Sequence, residues 1–287
     1  MEQNEKFERV CENCSLLKNR SERMSYLFGI QTQELANIFC ESAPETVRLA
    51  YKEIFGEKYS GKIFAELCRE YYTARKASEN VIASDIQTFL HIYGTEDSTT
   101  DAKTISYMRN IYSDSAYRRF TQGDTSFIAI SVQTFSEACE EVYYGRCRWC
   151  ILPIRNSTDG QLTMFKKLTK RFELRIISVT DILMSDSESF TRFALLGRDI
   201  KPDRKQYDYF ELTFPIDVSL SLSELFDGLT ALDIKIESLN TSPTSYSGSE
   251  SEMNAVLNIK NCDIYPLLMY FHYALPGNEP LGIYSIV

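Results

Sequence analysis

Histidine is almost missing from this chain, and glycine and proline are scarce. The only two histidines, His91 and His272, sit among aromatic and aliphatic neighbours (Phe89 and Leu90; Phe271 and Tyr273), which reads as packing rather than catalysis. Twelve glycines and eight prolines in 287 residues argue against long disordered tracts. No run approaches the ~18 apolar residues that a membrane-crossing helix needs, so no membrane partner is expected. The opening Met1-Glu2-Gln3-Asn4-Glu5-Lys6 lacks the apolar core of a secretory signal, and the expected location is the cytoplasm. A basic excess is missing too. The net charge is −9 and the pI near 5.0, which disfavours nucleic acid or an anionic membrane surface as a partner. A small anionic ligand held by two or three local Arg or Lys side chains is still compatible with that balance.

With 44% apolar residues in 287 the chain can build a sizeable core, and its length suits two or three domains. Eight cysteines (Cys11, Cys14, Cys40, Cys68, Cys139, Cys147, Cys150 and Cys262) are scattered rather than framed. In a cytoplasmic chain they are expected reduced. Cys11 and Cys14 could share a helix face. Cys147 and Cys150 lie in a stretch that reads as a strand, where residues three apart point to opposite faces. That is poor geometry for the four ligands of a tetrahedral metal. No metal and no cofactor is expected, and the cysteines read as small apolar core fillers.

Residues 1 to about 92 read as helical, with apolar residues at three-and-four spacing in Glu34–Phe39 and Ile63–Tyr72. Ser42-Ala43-Pro44-Glu45 looks like a helix start, and a later helix is expected from about Asn80 to Tyr93. The small polar stretch Gly94–Asp101 reads as a linker. Strand candidates then alternate with short helices: Thr104–Met108, Ser126–Ser131, Cys147–Ile154, Leu174–Val179 and Phe190–Leu196 are strands, while Ser113–Thr121, Thr134–Tyr144 and Gln161–Lys170 are helices. Such alternation predicts a three-layer α/β domain with parallel strand pairs. From about Gln206 the order is βαββαβ, the ferredoxin-like pattern.

Two short motifs carry a resemblance. Pro153-Ile154-Arg155-Asn156-Ser157-Thr158-Asp159-Gly160 ends one apolar run, and Thr191-Arg192-Phe193 opens another some thirty residues on. Together they resemble the signature of prephenate dehydratases, which dehydrate and decarboxylate prephenate to phenylpyruvate. The family has Glu where this chain has Arg155. The segment Ser113–Tyr117 stands where the family has a Ser-rich turn leading into a helix. The last eighty residues look like that family's ACT regulatory module: Lys235-Ile236-Glu237-Ser238 matches its Ile-Glu-Ser, and Leu281-Gly282-Ile283-Tyr284 resembles its closing segment. The Gly-Ala-Leu that lines the family's phenylalanine pocket is replaced by Ser219-Leu220-Ser221-Leu222, which adds side chains at the expected mouth.

The resemblance implies an α+β and α/β multidomain chain: a helical N-terminal domain (1–100) in the chorismate mutase position, a single-lobed periplasmic-binding-protein-like dehydratase remnant (101–204) and a C-terminal ferredoxin-like ACT domain (205–287). Thr191 would be the catalytic hydroxyl, with Asn156, Ser157, Arg192 and Phe193 binding substrate, and Leu220, Ser221, Glu237 and Ser238 binding effector. Each has a plainer reading beside it: Thr191 as an ordinary strand residue, and Asn156 and Ser157 as caps of the following helix. The family's second lobe lies between the two motifs, and here only about ten residues separate the last strand before Thr191 from Thr191 itself. Prephenate is a dianion needing donors on both sides, so the shortened chain implies an impaired enzyme acting as a small-molecule sensor or regulator. The alternatives are an active dehydratase whose far wall comes from the N-terminal helices or a partner subunit, and a chorismate mutase using cations such as Lys18, Arg20, Arg23, Arg69 and Arg75. Prephenate, chorismate or phenylalanine would be the ligand, and the pairing habit of ACT modules implies a homodimer.

Overall fold

The structure is a computed structural model that describes residues 2–56, 60–91, 102–157, 160–184, 189–198, 207–216, 221–243, 251–260 and 262–287. Five helices open the chain: α1 (Glu2–Leu16), α2 (Arg20–Ile38), α3 (Pro44–Phe55), α4 (Gly61–Arg75) and α5 (Glu79–Phe89). Their ends follow local chemistry. Asn19 caps α2 by accepting from the Ser21 amide. Pro44 sits in the first turn of α3, where its missing N–H costs nothing. Gly56, at φ +86°, supplies the conformation that stops α3. The fifth helix ends earlier than its sequence suggests, because His91 turns into the left-handed region at φ +55°. The linker expected from Gly94 lies outside the described residues.

Strands and helices then alternate: β1 (Thr104–Met108), α6 (Ile111–Thr121), β2 (Ile128–Val132), α7 (Phe135–Tyr143), β3 (Trp149–Asn156), β4 (Gly160–Gln161), α8 (Thr163–Arg171), β5 (Arg175–Leu183) and β6 (Phe190–Gly197). A βαββαβ run follows: β7 (Tyr209–Pro215), α9 (Leu222–Ala231), β8 (Lys235–Pro243), β9 (Ser251–Asn258), α10 (Ile264–Ala274) and β10 (Glu279–Ile286).

The chain forms two compact units, each built from three chain segments. The helical unit comprises Met1–Phe89, Asp217–Ile234 and Cys262–Pro276, which adds α9 and α10 to the five opening helices. Its hub is α4, packed against α2, α9 and α10. The stripe Phe64, Leu67, Cys68 and Tyr71 on α4 is fully buried. Helix α10 is apolar on every side, and eight of its residues, Tyr265 to Phe271 and Ala274, are buried. Aromatic rings dominate the packing: Tyr51 lies 5.0 Å from Phe64, and Phe89 lies 5.5 Å edge-on to Tyr265. Each such ring adds roughly 1.5–3 kcal/mol by burial.

The sheet unit comprises Leu90–Ile216, Lys235–Asn261 and Gly277–Val287. Among the described residues its strands join one mixed sheet in the order β2-β1-β3-β6-β5-β10-β7-β9-β8, with β4 paired to β3. Strand β1 is parallel to both β2 and β3, as the alternation predicts. Strands β5 and β6 instead pair with each other antiparallel, from Leu183↔Phe190 to Arg175↔Gly197. A 2.8 Å bond from the Met184 amide to the Ser189 carbonyl extends this pairing beyond Leu183 and Phe190. The antiparallel set β10-β7-β9-β8 extends the same sheet through a parallel pairing of β10 with β5.

Two cores flank this sheet. On one face Ala116 of α6 packs with Ile105, Tyr107, Ile151, Ile182 and Phe193. On the other, α7 and α8 cover Leu152, Ile154, Ile176, Val179, Ala194 and Leu196. Cys139, Cys147 and Cys150 all join this second core. The expectation that Cys147 and Cys150 diverge fails because β3 begins only at Trp149, so Cys147 precedes the strand and is free to turn inward.

Candidate functional site

The two motifs meet by register. Strand β3 runs antiparallel to β6 with Asn156 opposite Thr191, Arg155 opposite Arg192 and Pro153 opposite Phe193. A bulge between Pro153 and Arg155 accommodates the proline, whose missing N–H would otherwise break the ladder. Directly opposed residues share a sheet face, so Asn156 and Thr191 lie side by side, next to Phe193 and the α6 core. Of the sequence-expected cluster, the register brings Asn156, Thr191 and Phe193 to one face and turns Arg192 to the other.

Its chemical groups are engaged within the chain. Thr191 is buried, and its hydroxyl donates to Met184 Sδ at 3.4 Å. Ser157 Oγ accepts from the Phe190 amide at 3.0 Å, and the Ser157 amide donates to the Phe190 carbonyl at 3.0 Å. These bonds extend the β3/β6 ladder by one residue. Phe193 is buried in the α6-side core. Arg192 points to the opposite face and clamps Asp181 through two bonds, Nε to Oδ1 at 2.7 Å and Nη2 to Oδ2 at 2.8 Å. Asp181 is its register partner on β5. This fork-to-fork geometry is the strong form of such a pair, and it raises the guanidinium's already high pKa. Arg155 is exposed on the same ladder.

The turn ahead of α6 is similarly closed. Asn110 Oδ1 accepts from the Tyr112 and Ser113 amides at 3.0 and 2.9 Å, while Ser113 Oγ donates to the Met108 carbonyl at 2.6 Å. This reciprocal cap uses the helix-end donors that an anion would need. Tyr107 on β1 donates to Asp114 at 2.9 Å, and burial followed by that carboxylate lifts its hydroxyl pKa to about 12.

Sequence reasoning missed a charged network on the other face. Glu211 of β7 is buried, with Tyr284 of β10 donating to Oε2 at 2.9 Å and Asn254 of β9 donating to Oε1 at 3.1 Å. Burial raises its pKa; the two hydrogen bonds and then the charges of Lys166 and Arg192 oppose that rise. Tyr209-Phe210-Glu211-Leu212 reads as simple alternation, which assigns Glu211 to a solvent face. The signal was the Tyr284 and Asn254 partners, which lie far away in sequence.

Of the expected effector residues, Leu220 lies outside the described residues. Ser221 caps α9 in the helical unit and exchanges bonds with Glu224. Glu237 and Ser238 lie on β8, the sheet's edge, with an irregularity in pairing between Ile236 and Ser238. Glu237 is exposed and Ser238 partly so.

By architecture this is a mixed α/β protein with ten helices and a mixed sheet among its described residues. Solved structures share that fold, two of them as follows. Prephenate dehydratase from Streptococcus mutans superposes with a TM-score of 0.52 at 14% identity, over 64% of this chain and 98% of that one. GqqA, described as a novel type of quorum quenching acylase, superposes with a TM-score of 0.51 at 20% identity, over 64% of this chain and 95% of that one. No family profile matches the sequence, and no curated protein matches it at a significant level. At these identities the likeness is one of fold, and two neighbours with different activities illustrate how little fold alone says about chemistry.

Proposed function

We propose that this chain is a non-catalytic relative of prephenate dehydratase, a cytoplasmic homodimer that responds to a small molecule of aromatic amino-acid metabolism. The dehydratase fold supports the ancestry. The loss of catalysis is supported by one arrangement: Thr191, Arg192 and Ser157 are each held by a group of the chain itself, where β5 and β6 pair antiparallel. Dehydration with decarboxylation needs a donor at the leaving hydroxyl and a fixed, desolvated carboxylate. A threonine turned to a methionine sulfur and an arginine clamped by Asp181 offer neither. The βαββαβ run that ends the chain supports the sensing role, with Glu237 and Ser238 of β8 as the effector residues.

A mutase role is not favoured. Arg75 is buried against Asp85, the Ser42 carbonyl and Tyr71, and Arg69 donates to the Ala231 carbonyl at 2.8 Å. Those cations are committed within the helical unit.

The test is phenylpyruvate formation from prephenate by the full chain, with Thr191→Ala beside it. No turnover above buffer is expected in either protein. Turnover that disappears in the variant would show a working site and sink the proposal. Calorimetric titration with phenylalanine, tyrosine, prephenate and chorismate is expected to give a saturable heat for at least one; silence from all four would remove the sensing role.

A further inference from the structure

Helix α8 is the most basic element of an acidic protein. Its sequence Thr-Met-Phe-Lys-Lys-Leu-Thr-Lys-Arg carries four cations and no acid, in a chain whose net charge is −9. Lys170 reaches Glu279 at 3.4 Å, and the Arg171 guanidinium lies 5.0 Å over the Phe172 ring. Met164, Lys167, Leu168 and Arg171 follow the i, i+3, i+4, i+7 spacing that places them on one stripe of the helix. That stripe faces α7 across two adjoining cavities of about 300 and 510 Å³ that share Phe135, Met164 and Leu168.

The two cavities differ in chemistry. The smaller is lined only by apolar side chains, including Phe135, Leu152, Leu162, Phe165 and Leu168. Water there would lack polar partners, so an apolar guest would displace it at little cost. Its volume is at the low end of small-molecule sites, which run roughly 300–1,000 Å³. The larger one opens at the carboxyl ends of β1 and β2 and is bordered by Met108, Gln133, Thr134, Lys167 and Arg171. That is where open parallel sheets receive ligands, beside a strand whose neighbours on both sides are reached by opposite crossings. The α7 terminus is already closed by its own chain: Thr134 accepts from the Glu137 amide at 3.1 Å, and Glu137 accepts from the Gln133 amide at 2.8 Å. The positive charge at the mouth therefore comes from the α8 stripe. Met164, 59% exposed at the junction, is an unbranched side chain that can fold over or swing clear of a guest.

We propose that the α7/α8 cleft is a binding site for a small amphipathic carboxylate, its apolar aryl or alkyl body in the cavity beneath Met164 and its anionic end at Lys167 and Arg171. The cleft adjoins the core that contains Leu152 and Leu168, on the sheet face opposite Thr191 and Phe193. It does not depend on the dehydratase reading and would stand if that reading failed.

The experiment titrates the full chain with 4-phenylbutyrate and with its neutral counterpart 4-phenylbutan-1-ol, by calorimetry and by ligand-observed NMR. The carboxylate is expected to bind at least about fivefold more tightly than the alcohol, with the difference shrinking in high salt. Lys167→Glu/Arg171→Glu should abolish the preference while leaving weak binding of the alcohol. Met164→Trp should block both probes; because Met164 is exposed, the variant should keep the wild-type circular dichroism spectrum and melting temperature. Equal affinities for acid and alcohol, binding untouched by Met164→Trp, or no binding of either probe at millimolar concentration would each overturn the proposal.

Discussion

Glu211 shows what one buried carboxylate does to a sheet. Its two donors, Tyr284 and Asn254, come from the strands on either side of β7. The bonds fix side chains across three strands, yet burial still holds its pKa above the ordinary 4.5. A carboxyl whose pKa is raised by folding binds more protons in the folded chain than in the unfolded one. Its contribution to stability is thus complete below about pH 4.5 and is lost as pH rises through the folded pKa. Glu211→Gln keeps an acceptor for one donor and removes the charge. Urea denaturation at pH 5 and pH 8 should show the wild type losing ground on the variant as pH rises, by about 1 kcal/mol at the higher pH. Parallel stability profiles for the two proteins would show that this group is not the source of the slope.

At the same scale, Thr191, Asn156 and Ser157 were legible as a cluster because the strand-end motifs name them. Arg192 was legible as a cation but not as one already paired, since Asp181 lies eleven positions earlier in a stretch that reads only as a strand. Whether a polar side chain meets a ligand or its own chain depends on register, and register is set by bulges and turns that short-range pattern does not specify.

Among the elements, the close crossing of α4 and α9 is governed by two glycines. A Cβ on Gly61 would sit 1.9 Å from the Glu224 carbonyl oxygen, and one on Gly228 would sit 2.3 Å from the Tyr270 hydroxyl. The first obstacle is backbone, so the whole helix must shift. Gly61→Ala is expected to cost about 2–3 kcal/mol, the upper part of the range for overpacking. Gly29, in the interior of α2, has nothing within 4 Å of the corresponding position. Gly29→Ala should therefore stabilise by up to about 1 kcal/mol through helix propensity alone. Thermal denaturation of the two variants reads both signs; a neutral Gly61→Ala would mean that the helices are not held this close in solution. Neither glycine announces this in the sequence, where each reads as a lapse within a helical stretch. The helices and strands themselves were legible because their apolar periods are long and consistent. The antiparallel pairing of β5 with β6 was not read from the sequence, which shows the two strands without their direction. What the pattern missed were ends, such as the stop of α5 at Phe89, two residues before the left-handed His91.

At the scale of the molecule, chain order and compact units do not coincide. The sequence reads as successive blocks, yet the helical unit takes α9 and α10 from the far end of the chain. Within that unit α10 supplies Tyr265, Tyr270 and Phe271, all buried, and Tyr265 donates to Asp85 of α5 at 2.8 Å. Asp85 in turn pairs with Arg75, whose side chain is only 7% exposed. Without α10, the apolar faces of α4 and α5 would meet water and the Arg75–Asp85 pair would lose the tyrosine that completes it. Stripping one partner from a buried charged group costs several kcal/mol, about 3–5 where a full ion pair is broken. Residues 1–100 expressed alone should therefore fail to fold cooperatively: heating should give a gradual loss of helical ellipticity, and amide exchange should show little protection in α4. The full chain should melt in a defined transition with α4 among its best-protected segments. A sharp melt and strong α4 protection in the isolated fragment would mean that the opening helices are sufficient to themselves, and that α9 and α10 add little to their core.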